Sequence, residues 1–151
     1  MKRRLLILSC SMRKIDTDSP VSAWDLYDGV SFRLLKRMQK HGEFPNDVDI
    51  LIVSARYGLI SPSQKIVSYN QKMTAKIACQ QARDNCLILL DILSKKQYRA
   101  IFVNLGLAYL QALQPIDSWL DKNISIILAE GKIGQKLQKM KYWLKFDTTL
   151  G

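Results

Sequence analysis

Ser54 and Tyr57 stand three residues apart in the stretch Val53-Ser54-Ala55-Arg56-Tyr57-Gly58-Leu59-Ile60-Ser61-Pro62, and Tyr69 and Asn70 follow a short way on. A β-branched apolar run from Val48 to Val53 ends there in small and polar residues, so a buried strand delivers a shaped turn to one edge of a sheet. A hydroxyl and a phenol so placed can face one ligand, and a tyrosine can stack on a base or hydrogen-bond a phosphate. The competing role for Tyr57 is packing: a ring that plugs the turn, its hydroxyl bonded to backbone, with Gly58 supplying positive φ. The two roles weigh equally, since the strand-end position favours function and an aromatic in a tight turn favours packing.

Other residues invite chemistry of the same kind. Arg13 and Lys14 follow the first apolar run and can neutralise phosphate, with Ser9 and Ser11 offering hydroxyls. Alone they would be a solvated basic pair; their convergence with other strand ends turns the balance toward binding. Cys10 could be a nucleophile activated by Arg13 or Lys14. The one histidine, His41, sits at the far end of a helix, so no Cys-His pair is expected, and Cys10 reads first as a small packing residue. Hydrolytic or glycosidic chemistry needs a carboxylate to orient water or stabilise a developing cation. Glu130, just past a strand, is the preferred acid, with Asp25 second and Tyr57 completing the catalytic candidates; Asp28, before Gly29, reads as a turn or N-cap residue. Gly131-Lys132-Ile133-Gly134 lacks the spacing of a Walker loop. It can hold phosphate as a helix start with Lys132, Lys136 and Lys139 nearby, although a Gly-rich turn before a surface helix weighs slightly more.

The elements that must position these residues follow from periodicity. Continuous apolar runs predict strands over Leu5 to Leu8, Ile50 to Val53, Ala100 to Val103 and Ile124 to Leu128. Helical spacing predicts helices from Val30 to about His41, Thr74 to Leu93 with Thr74 as cap, Leu107 to Leu113, and Ile133 to about Leu144. The stripe Ile77, Ala78, Gln81, Ala82, Cys86, Leu89, Leu90 and Leu93 is expected to be buried, as are Cys79 and the line Ile133, Leu137, Met140 and Leu144. Repeated strand–helix alternation predicts one three-layer, Rossmann-like α/β domain over residues 1–151, with a mostly parallel sheet of about four strands and right-handed crossovers. Ligands of such sheets bind past the carboxyl ends of the strands. The residues falling there are Ser9, Cys10 and Ser11 with Arg13 and Lys14, then Ser54 to Gly58, then Asn104 to Gly106, then Glu130 to Lys132.

Composition bounds the partners. At 48% hydrophobic and 24% charged, the chain can build a core, and 23 Lys and Arg against 13 Asp and Glu favour an anionic partner. The basic start Met1 to Arg4 precedes only a short apolar run before charge returns at Arg13, unlike a secretory signal, and no later segment approaches membrane-spanning length. A soluble, cytoplasmic protein is expected. Cys10, Cys79 and Cys86 form an odd count without a CxxC pair, which argues against a disulfide framework and a zinc site; no cofactor and no metal are expected.

A resemblance adds to this reading. The blocks Ser9-Cys10-Ser11-Met12-Arg13-Lys14, Leu26-Tyr27-Asp28-Gly29 with Phe32, Ser54 to Pro62, and Tyr69-Asn70 resemble a family of small, largely uncharacterised bacterial and archaeal domains. That family shows Ser-Cys-x-x-x-Lys, Leu-Tyr-x-Gly-x-x-Phe and Ser-Ala-x-Tyr-Gly-Leu-x-x-Pro blocks ending in Tyr-Asp, an ordered set more specific than a lone glycine motif. More distantly, the central block is similar to YaaA-like peroxide-stress proteins, associated with DNA binding, and to the uracil-DNA-glycosylase-like accessory domain of archaeal tRNA-guanine transglycosylases and archaeosine synthases. The resemblance implies nucleic-acid or nucleobase handling. One departure is Asn70, where the family often carries Asp and so a carboxylate. The expected function is therefore a nucleic-acid- or nucleotide-handling protein. The leading form is an enzyme acting on a nucleobase or N-glycosidic bond, with Ser54, Tyr57, Gly58, Tyr69 and Asn70 shaping the pocket and Arg13, Lys14 and Lys132 meeting phosphate. The alternative is a noncatalytic DNA- or RNA-binding module in a stress response.

Overall fold

The first strand, β1 (Arg3–Ser9), is the axis of the sheet. Its centre, Leu5 to Leu8, is almost entirely inaccessible, as befits a continuous apolar run covered on both faces. The computed structural model describes residues 2–146, and for 117 and 119 the backbone alone. Along the chain follow β2 (Val21–Ser22), α1 (Ala23–Leu26), α2 (Val30–Lys40), β3 (Val48–Ser54), β4 (Gly58–Ile60), β5 (Lys65–Ile66) and α3 (Ala75–Lys95). Then come β6 (Tyr98–Asn104), α4 (Leu107–Leu110), a 3-10 turn (Gln111–Leu113), α5 (Ile116–Trp119), β7 (Ser125–Leu128) and α6 (Ile133–Phe146).

The main sheet has the order β4-β3-β1-β6-β7. β1 pairs in parallel with β3 and β6, and β6 with β7. The four predicted strands are all present; the fifth, β4, runs antiparallel to β3, with Ser54 opposite Gly58 and Ile52 opposite Ile60. The central turn is thus a hairpin, which a three-residue strand directly after the turn does not announce by alternation. Crossovers run one way from β1 to β3 and the other way from β3 to β6 and β6 to β7, so right-handedness puts α2 on one face and α3 on the other. α6 shares a groove with α2, and α3 packs on the 3-10 turn, where the Asn85 amide donates to the Ala112 carbonyl at 3.0 Å.

The helices show why the sequence folds this way, and where reading it fell short. In α2, Phe32, Leu35 and Met38 are buried, Gly29 is the N-cap without a capping side chain, and His41 is the C-cap. Thr74 caps α3, its Oγ accepting from the Ile77 amide at 3.2 Å. The buried line of α3 runs through Ala78, Asn85, Cys86 and Leu89. Leu90 and Cys79, expected inside, are exposed, because they sit roughly 100–120° around the helix from the line joining Ala78 and Leu89. Ile133, expected beside Met140 and Leu144, is 69% exposed: as the first residue of α6 it lines a hollow at the carboxyl ends of the strands and is not packed in the core.

At the amino ends of the strands, carboxylates hold a basic cluster. Arg4, only 3% exposed, pairs with Asp47 at 2.9 Å, and Arg99 reaches the same carboxylate at 3.1 Å. Asp49 binds Arg3 at 2.9 Å and accepts from the Tyr98 hydroxyl at 2.7 Å. Hydrogen bonds from Arg4 hold the Asp47 carboxyl below its usual range. Among the described residues no helix is long and apolar enough to cross a membrane.

Candidate functional site

The reversal of crossover direction makes the carboxyl ends of β1 and β6 a topological switch point, where open α/β sheets place their ligands. A cavity of about 370 Å³ lies there. β1 contributes Ser9, and the loop beyond it Cys10, Ser11 and Arg13; the end of β6 contributes Asn104 and the residue before α4, Gly106. Gly29, Val30 and Ser31 from the start of α2, Tyr109 of α4 and Lys136 of α6 add further walls, and Met12, Phe32 and Ile133 supply apolar surface.

Each wall has a local cause. With no side chain capping it at Gly29, the start of α2 presents unsatisfied amides and the positive end of its dipole to the crevice. A Cβ at position 29 would meet the Ser11 Cβ at 2.6 Å, so glycine lets the loop after β1 press against the helix start. That loop is fixed by Ser11, whose Oγ donates to the Arg13 carbonyl at 2.6 Å. Arg13 is largely exposed and lies 3.4 Å from Asp28. Asp28, expected as a turn or cap residue, is instead gripped by Arg33 through two contacts of 3.1 and 2.9 Å, hydrogen bonds that hold its carboxyl below the usual range. Lys136 Nζ donates to the Leu105 carbonyl at 3.3 Å, which anchors the ammonium at the rim. The Tyr109 hydroxyl sits 3.3 Å from Cys10 Sγ, and burial, reinforced by that thiol, raises the phenol pKa.

Behind Cys10, toward β3, lies a buried knot of hydroxyls. Tyr27 Oη is 2.6 Å from Tyr69 Oη and donates to Ser54 Oγ at 3.2 Å, while Ser54 Oγ and Tyr69 Oη are 2.9 Å apart. Ser54 Oγ also accepts from the Arg56 and Tyr57 amides at 3.2 and 3.0 Å, which shapes the hairpin. Burial pushes Tyr27 up to about 12, against its hydrogen bonds with Ser54 and Tyr69, and raises Tyr69 as well. Lys14 Nζ lies 4.4 Å from the centre of the Tyr69 ring, a cation–π contact, and burial lowers the pKa of this ammonium.

The predicted residues divide into four groups. Ser9, Cys10, Ser11, Arg13, Asn104 and Gly106 line the crevice together. Lys14, Ser54 and Tyr69 form the adjoining knot with Tyr27. Tyr57 packs edge-on against Tyr69, but its hydroxyl is spent on Val67, donating to the carbonyl at 3.2 Å and accepting from the amide at 3.3 Å. Gly58 has φ 74° and backs onto Asn85, so it serves the hairpin. Glu130, Asp25, Asn70 and Lys132 are exposed and are not among the residues lining the crevice. The Asp25 amide donates to the capping Ser22 Oγ, the Glu130 carbonyl accepts from Lys139, and the Lys132 amide donates to Gln135 Oε1. Reading the sequence missed Tyr27, Gly29, Ser31 and Tyr109 as site residues. The signal for Gly29 was present, a glycine before a helix with no capping side chain; Tyr109 sits in a segment whose apolar pattern speaks only of packing. Among the described residues no group of three or more His, Cys, Asp or Glu side chains could hold a metal ion.

Fold and crevice belong to an α/β domain with a five-stranded, mostly parallel sheet. The chain is a member of a family of unknown function, DUF6884, whose model matches residues 5–142. Among solved structures it is similar to AF0587, a protein of unknown function, with a TM-score of 0.56 at 10% identity. That similarity covers 95% of this chain and 45% of the other, so the chain spans less than half the length of that protein. No curated protein matches the chain.

Proposed function

We propose that this chain handles nucleic acid or nucleotides by seating a phosphate, with its nucleoside, in the crevice between the ends of β1 and β6. The observation that carries the reading is the chemistry of the lining: the uncapped start of α2, Arg13, Lys136 and the hydroxyls of Ser9, Ser11 and Ser31 converge there, with no carboxylate among the lining residues. Helix starts and cations bind phosphate for electrostatic reasons that need no further device.

Between the two forms of this reading, the geometry favours recognition over cleavage of an N-glycosidic bond. Glu130 and Asp25, the carboxylates such chemistry would use, stand exposed outside the crevice. The test has two arms. Inorganic phosphate and a panel of nucleoside monophosphates, titrated into the labelled protein, should shift the amide resonances of Gly29 to Phe32 and Ser9 to Arg13; shifts confined elsewhere would remove the crevice from the reading. Incubation with DNA, RNA and nucleotides followed by chromatography should return the substrates unchanged, and a released base would restore the enzyme.

A further inference from the structure

α2 and α6 lie side by side on one face, and neither contains an acidic residue. α2 carries Arg33, Lys36, Arg37 and Lys40, and α6 carries Lys136, Lys139, Lys141 and Lys145. On the opposite face α3 mixes Lys76, Arg83 and Lys95 with Asp84 and Asp91. Asp28 engages Arg33, and Glu43 engages Lys145 at 3.0 Å. Arg37 and Lys141 take part in no ion pair among the described residues and are exposed.

Between the helices runs a trough of about 510 Å³, with Arg33, Arg37 and Lys141 on its walls and Val30, Leu34 and Leu137 along its floor. Val30 lines both this trough and the crevice, so the two are neighbours on either side of its side chain. Beyond it, on the outer side of α6, Tyr142 and Phe146 are 54% and 64% exposed, with ring centroids 4.9 Å apart.

We infer that the α2–α6 face is a track for a single-stranded nucleic acid whose end, or one of whose nucleotides, reaches the crevice. Basic walls meet the phosphates, while an apolar floor and exposed aromatic rings suit unpaired bases, which a duplex keeps stacked inside. The inference rests on the crevice reading for the destination of the strand and adds the class of ligand: a polynucleotide with free bases.

The test is fluorescence anisotropy with a labelled oligothymidylate of about 12 nucleotides, the duplex of equal length, and thymidine monophosphate as competitor, at several salt concentrations. The single strand should bind more tightly than the duplex. R37A/K141A should weaken it about tenfold and flatten the salt slope by about 1.4, from roughly 0.7 per lost contact. K76A/R83A on the opposite face should leave both quantities unchanged. Tyr142→Ala should weaken the single strand and spare the monophosphate. Equal affinity of R37A/K141A and the parent, or tighter binding of the duplex, overturns the track. If the oligomer binds through Arg37 and Lys141 while the monophosphate does not bind, the track stands and the crevice reading fails. If the monophosphate binds and the oligomer gains nothing over it, the crevice stands and the track fails.

Discussion

The hydroxyls of Tyr27 and Tyr69, 42 residues apart in sequence, meet at 2.6 Å, and Ser54 closes the triangle. Tyr27 closes α1 and Tyr69 belongs to the segment after β5, so this contact fastens both against the end of β3. Because burial pushes Tyr27 up to about 12, the folded protein holds this phenolic proton more tightly than the unfolded chain, whose tyrosines titrate near 10. The associated stability is present below about pH 10 and is lost as pH rises toward 12. Urea unfolding between pH 8 and 11 should therefore show a decline in stability at the alkaline end, about 1.4 kcal/mol of it from Tyr27, and Tyr27→Phe should remove that share while Tyr69, Tyr98 and Tyr109, also raised by burial, keep the rest. An equally steep decline in that variant would contradict the assignment.

Arg13 and Tyr57 should separate binding from scaffolding. Arg13 is exposed at the crevice, so Arg13→Ala should reduce phosphate or nucleotide affinity about tenfold, on the order of 1.4 kcal/mol, with stability unchanged. Tyr57→Phe removes hydrogen bonds to Val67 backbone, and it should cost about 1 kcal/mol of stability while leaving affinity alone. Calorimetric titration together with thermal melts decides both; loss of affinity in Tyr57→Phe would return that hydroxyl to the site.

Asn85 is buried, accepting from the Leu59 amide at 2.9 Å and donating to Gln81 and to the Ala112 carbonyl. Asn85→Ala should destabilise by about 2–4 kcal/mol, since both backbone partners lose their bonds inside the protein. Gly58→Ala should also destabilise, because φ is 74° and a Cβ would stand 2.8 Å from Asn85 Oδ1. Denaturant midpoints measure the two, and near-additive effects would argue against the close approach between these positions.

Thiol labelling should report on crevice occupancy. Cys79 is exposed and should react first, Cys86 is buried, and Cys10 lies at the crevice with 8% exposure. Phosphate or nucleotide at saturating concentration should slow modification of Cys10 without changing that of Cys79, followed by mass spectrometry of the peptides. Equal slowing of both would point to a general stabilisation in place of a ligand over Cys10.

How far the fold could be read from the sequence depended on the length of each signal. The seven-residue strands β1, β3 and β6 carry apolar runs long enough to identify. The two-residue pairing of Val21 and Ser22 with Lys65 and Ile66, like the three residues of β4, is too short to show a period and exists only because distant segments meet. The same holds for the site. Ser9 to Arg13, Asn104 and Gly106 follow from the rule that ligands gather at strand ends. Tyr27 and Tyr109 do not, since what makes them polar partners is a contact with Tyr69 or Cys10 that only the folded chain creates. Glu130 satisfies the strand-end rule and still is not among the crevice-lining residues, because β7 is the outer strand and not part of the switch point.

The carboxylates at the amino ends of the strands give the molecule a direction. Asp47 and Asp49 pair with Arg3, Arg4, Lys96 and Arg99 at one edge of the sheet and offset part of their charge, whereas the crevice at the other edge has no carboxylate among its lining residues. A protein with a net charge of +10 is therefore not uniformly positive to an approaching anion. If a polyanion binds at the carboxyl edge as proposed, the field of the excess positive charge should draw it in over a distance before any contact forms. Association should thus be fast at low ionic strength and slow steeply as salt shortens the reach of that field.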